Sequence, residues 1–133
     1  MQSPILLTVT LITASVLGLI YMVLMLRVVR LRLGKRVSMG DGGNAELQAR
    51  IRAHGNFAEY VPLLLVLMAL LELGGVDRAW LAVSGVVLVL VRVAHAVGMH
   101  RPAPNAFRFV GAVGTFVLMI VFCGYGLWLG FAA

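Results

Sequence analysis

The apolar run at residues 61–71 is too short for the task its surroundings give it. It has 11 residues, ends at Glu72, and overlaps the end of the polar segment RAHGNFAEYVP, residues 52–62. A helix needs about 20 residues to cross the hydrocarbon core of a bilayer. Either the span draws on residues 52–60, or part of its helix stands outside the lipid. In both cases Arg52, Asn56 and Glu59 approach or enter a low-dielectric layer. Ionisable groups there are costly, and by default they mark a functional site.

The rest of the chain is built for a membrane. Its 133 residues are 62% hydrophobic and 12% charged, with a mean hydropathy of +1.02. A soluble domain carries about 25% charged residues. The composition predicts an all-α integral membrane protein with one small domain over residues 1–133. The single cysteine, Cys123, excludes an internal disulfide. It lies in an apolar run and reads as a small lipid- or core-facing residue, since a reactive thiol needs an electropositive, accessible setting. The net charge of +6 does not indicate nucleic acid. The basic residues are tied to helix ends, and no soluble domain presents them. The seven methionines read as apolar filling.

Four transmembrane helices are predicted. The first spans residues 4–32, with an apolar part at 5–26 that crosses unaided. Residues 1–4 lack the basic start of a signal peptide, and the apolar run exceeds such a peptide's core, so this helix is expected to be retained. The second runs from Asn44 or Ala45 to Leu73, with Asn44 as N-cap after the Gly40-Asp41-Gly42-Gly43 turn, and Gly74-Gly75 ends it. The third covers residues 77–99. The fourth starts at Pro104 or Asn105 and reaches Phe131, with Pro102 and Pro104 breaking the chain before it.

Ten of the 11 lysines and arginines fall at one end of these helices, and only Arg78 falls at the other. Cytoplasmic loops carry the excess of positive charge. The expectation is that both termini and the turn at residues 74–77 face away from the cytoplasm.

Arg52, Asn56 and Glu59 are spaced i, i+4, i+7 and share one face of the second helix, with Tyr60 adjacent. A cation, an amide and a carboxylate in a row suit a zwitterionic, peptide-like ligand. They suit equally an interhelical network with an Arg–Glu pair that holds the bundle together. On the third helix Arg92 and His95 share a face, with snorkelling as the alternative for Arg92 and a satisfied interhelical histidine for His95. His54 and His100 read as interfacial. The three histidines form no metal-ligand pattern, and no metal is expected. Arg27 and Arg30 read as charges flanking the first helix. Arg108 opens the fourth helix, where the helix dipole disfavours a cation unless an anion is supplied. It is a candidate anion holder, with snorkelling as the plainer reading. Gly126 and Gly130 form a GxxxG, which can let helices approach closely.

These residues resemble the MAPEG family, membrane-associated proteins in eicosanoid and glutathione metabolism. The likeness covers almost the whole chain and is strongest at residues 52–62, which fit the family's R-x-x-x-N-x-x-E signature followed by an aromatic and a proline. Residues 92–95 are similar to the third-helix segment of microsomal prostaglandin E synthase, and residues 36–43 resemble the bacterial branch. The resemblance implies a four-helix membrane bundle that assembles as a homotrimer in a bacterial inner membrane. It implies glutathione held between subunits near the cytoplasmic side. By position, Arg30, Arg52, Asn56, Glu59, Tyr60, Arg92 and His95 would bind glutathione, and Arg108 would stabilise its thiolate for attack on a lipophilic small molecule. Three positions depart from relatives. Met99 replaces a tyrosine and Gly55 a larger residue, while Phe109 stands for a serine, which argues against the prostaglandin reaction.

Two other readings stay open. One is a family member that binds a ligand without turnover. The other is a small proton-coupled exporter using Glu59, although Arg52 would hold that carboxylate ionised.

Overall fold

A computed structural model describes residues 7–132. It has four helices, α1 (Thr8–Lys35), α2 (Ala45–Leu73), α3 (Arg78–Gly98) and α4 (Ala106–Ala132). All four are long and apolar enough to cross a membrane. The expected all-α four-helix membrane bundle is what the chain forms. The expected start of helix one at residues 4–6 lies outside the described residues.

Local chemistry sets the helix ends. Asn44 caps α2, its Oδ1 accepting from the Leu47 N–H at 2.8 Å, and Asp77 caps α3 in the same way through the Trp80 N–H. Asn105 caps α4 by accepting from the Arg108 N–H at 2.9 Å. Each is a residue whose side-chain oxygen satisfies an amide that the helix leaves orphaned. Helix α1 runs three residues beyond the expected Arg32, to Lys35. Arg36 then takes a left-handed conformation (φ 55°), and the Val37 N–H donates back to the Arg32 carbonyl at 3.0 Å. That turn, rather than the run of basic charge, stops the helix. Helix α2 continues through the exposed Pro62.

Helix α1 packs on α2 and α3, and α4 packs on the same two from the other side; α1 and α4 do not meet. The core between them holds Leu17, Leu64, Met68, Leu81, Leu88 and Phe122. Large apolar side chains such as Leu19, Leu90 and Ile120 face outward, as a bilayer requires. The closest approach is between α3 and α4. A Cβ on Gly98 would strike the Arg108 backbone, and one on Gly111 would strike the His95 backbone. Gly114 leaves room for Val91. By contrast, Gly126 and Gly130 have nothing near their Cβ positions. Within the protomer the expected GxxxG brings no helices together, and it lines an open apolar groove with Cys123.

Candidate functional site

The site is built on the basic end of α2. A 29-residue helix is about 43 Å long, some 13 Å more than the hydrocarbon core. Glu59 is the fifteenth residue of α2, so it sits near mid-length. Arg52 lies two turns closer to the end. The Arg52 Nη1 and Glu59 Oε1 are 3.7 Å apart, with side chains 56% and 53% exposed. This pair therefore faces out of the protomer. It does not staple the bundle from inside, which was one of the two readings the spacing allowed. Gly55, between them on the helix, leaves open space where a side chain would stand.

Asn56 has a different role from its neighbours in the row. Its Oδ1 accepts from Arg92 Nη2 at 2.8 Å. Arg92 is 1% exposed and does not snorkel. Its Nη1 donates to Thr115 Oγ1 at 3.2 Å, and its guanidinium lies 5.4 Å from the centre of the Phe57 ring. Thr115 in turn donates to the Gly111 carbonyl at 2.7 Å. No carboxylate pairs with Arg92 among the described residues. The structure thus ties α2, α3 and α4 together beneath the outward face through Asn56, Arg92 and Thr115.

Tyr60 is half-buried and meets Phe116 edge-on, with ring centres 5.7 Å apart. His95 is buried one turn beyond Arg92, its backbone against Gly111. Arg108 is exposed in the first turn of α4, held in place by its own backbone on Gly98. Arg30 is exposed on α1, and within one protomer no ion pair or hydrogen bond joins it to the Arg52–Glu59 face. His54 stacks on Tyr21 at 4.6 Å, on the α1 side. Of the expected site residues, Asn56 and Arg92 touch each other, Arg52 and Glu59 pair, Arg108 lies within electrostatic reach of His95, and neither Arg30 nor Arg108 forms an ion pair among the described residues. Among the described residues no group of three or more His, Cys, Asp or Glu could hold a metal ion.

Thr115 and Phe57 were not singled out by sequence reasoning. Thr115 is the only threonine of α4 and lies in a mostly apolar stretch after Arg108, and that isolation is the available signal.

A MAPEG family model matches residues 10–128, nearly the whole bundle. The chain belongs to the MAPEG family. It is similar to the inner membrane protein YecN of Escherichia coli K12, with 39% identity over 103 residues, 76% of each chain. YecN of Escherichia coli O6:H1 strain CFT073 matches with the same identity and coverage. This MAPEG chain is an integral membrane protein, and its polar row on α2 lies inside the matched region.

Proposed function

We propose that this MAPEG protein is a glutathione-dependent transferase or peroxidase of a bacterial inner membrane, working as a homotrimer. The supporting observation is the outward-facing Arg52–Glu59 pair on a membrane-spanning helix. Two ionised side chains presented to lipid are expensive. A neighbouring subunit together with a polar ligand would cover that face at lower cost, and would bring the exposed Arg30 of one copy toward Arg52 of the next.

Glutathione suits the residues. It carries two carboxylates, an ammonium, two peptide groups and a thiol. Arg52 and Arg30 match a carboxylate, Glu59 matches the ammonium, and Asn56 and Tyr60 offer hydrogen bonds. Arg108 presents a cation at the start of α4, where an anion is favoured by the helix dipole as well. An adjacent cation favours the ionised thiol. The thiolate would attack a lipophilic electrophile arriving through the bilayer. The basic end of the bundle would face the cytoplasm, where a water-soluble peptide can enter.

The test is calorimetric titration of glutathione into the purified protein in detergent, with Arg52→Ala and Glu59→Gln in parallel. Binding by the parent that weakens in both variants is the expected result. Failure of the parent to bind glutathione, with the oligomer intact, removes this reading.

A further inference from the structure

Four groups on three helices form a hydrogen-bond network in which every donor and acceptor is fixed, with Arg92 donating both to Asn56 and to Thr115. The Gly111 carbonyl can only accept, and it takes the Thr115 hydroxyl proton at 2.7 Å. A hydroxyl has one proton to give. The Thr115 oxygen is therefore left as an acceptor toward Arg92 Nη1, 3.2 Å away. Arginine has five N–H donors and no acceptor. The atom of Asn56 that lies 2.8 Å from Arg92 Nη2 must then be the amide oxygen. An asparagine amide is otherwise free to turn over, because its two ends are nearly alike in shape. Here its direction is settled by Arg92, which can only donate.

The amide nitrogen of Asn56 has no partner among the described residues, and it is not among the sealed polar atoms. Asn56 is half-buried, whereas Arg92 behind it is 1% exposed. The open side of Asn56 is the nitrogen side, on the helix that carries Arg52 and Glu59. A buried cation without a carboxylate is a poor stabiliser, and apolar packing usually serves better. A guanidinium in this place calls for a functional account.

We propose that Arg92 is a positioning residue that holds the Asn56 amide so that the site presents only N–H donors there. This selects a carboxylate or carbonyl oxygen of the ligand at Asn56. The inference rests on the glutathione reading for the ligand's identity, but the orientation of the amide does not depend on it.

Glutathione affinity of the purified protein separates the possibilities, measured for the parent, Arg92→Met, Asn56→Ala and the double variant. Each single change weakens binding roughly tenfold to a hundredfold, the range for a hydrogen bond to a charged group. The double variant binds no worse than Asn56→Ala. If adding Arg92→Met to Asn56→Ala costs the same factor as in the parent, Arg92 acts on the ligand or on packing and the proposal fails. A second measurement needs no ligand. With 15N-labelled asparagine, the Asn56 side-chain signal is identified by its loss in Asn56→Ala. It shifts in Arg92→Met, while the signals of Asn44 and Asn105 stay in place. An unmoved Asn56 signal overturns the proposal. A shifted signal in a protein that does not bind glutathione supports the orientation and rejects the glutathione reading.

Discussion

Glu72 and Thr10 are 62 residues apart in the chain and in direct contact across the bundle. The Glu72 Oε2 accepts from the Thr10 N–H at 2.8 Å, and its Oε1 accepts from the Val9 N–H at 2.9 Å. Leu7, at the N-cap position of α1, offers no side-chain acceptor. A carboxylate from α2 thus closes the positive end of α1, satisfying two orphan amides and the helix dipole together. Glu72→Ala is expected to lower stability by about 1–3 kcal/mol, the cost of leaving buried donors unmet. Glu72→Gln keeps one acceptor and loses less. Denaturant-induced unfolding in micelles measures both, and an unchanged midpoint in Glu72→Ala contradicts this role.

The glycines of the α3–α4 contact are not interchangeable with those near the end of α4. Alanine at Gly111 would place a methyl group against the His95 backbone, which cannot swing aside as a side chain could. Gly98→Ala and Gly111→Ala are each expected to cost about 1–3 kcal/mol through overpacking. Gly126→Ala meets open space within the protomer and leaves its stability unchanged. Thermal unfolding of the three variants ranks them, and equal losses would contradict the packing described.

Arg108 is exposed at the start of α4, and its backbone position is fixed by Gly98. Under the proposed function, Arg108→Ala keeps glutathione affinity within a few-fold. Thiolate absorbance falls, and turnover drops roughly a hundredfold, the kinetic scale for loss of one donor to a developing anion. Full thiolate absorbance in Arg108→Ala would take this residue out of the chemistry.

His100 follows α3 at the basic end. Burial is the main cause that pushes its imidazolium below the ordinary 6.5, with repulsion by Arg27 and Arg50 adding to it and Glu46 opposing. The unfolded chain therefore takes up this proton at a higher pH than the folded one. Stability is present above about pH 6.5 and is lost as the pH falls below it toward the folded value. Melting temperatures of the parent at pH 7.5 and 5.5, compared with His100→Gln, isolate the effect. The variant is expected to lose less on acidification, and an identical loss would assign the pH response to other groups.

The helices were legible because their ends are local. Asn44 and Asp77 cap the helices that follow them, and Gly74 and Pro102 interrupt the chain where the sequence implies. The end of α1 was read early, at Arg32, because a run of cations looks like a membrane stop while the turn at Arg36 depends on backbone conformation. For the site, periodicity placed Arg52, Asn56 and Glu59 on one face of a helix but could not say what that face meets. That depends on how α3 lies against α2 and α4, which is set in part by Gly98 and Gly111, two glycines that no motif marks. On sequence alone Arg92 shares a face with His95 or snorkels; its actual partners, Asn56 and Thr115, lie on other helices and come only from the packing. Glu72 read only as the end of an apolar run, because the amides it closes are far away in the chain.

Synthesis gives the Glu72 clasp a timetable. Helix α1 is made before α2, and the amides of Val9 and Thr10 receive no cap from Leu7. The carboxylate that closes them emerges only when α2 is almost complete, as the last acidic residue of that helix. Among the described residues no other acceptor closes those amides, so before α2 is complete water at the membrane surface is their cheapest partner. The α1–α2 hairpin is sealed from its far end, by a residue made after nearly all of both its helices.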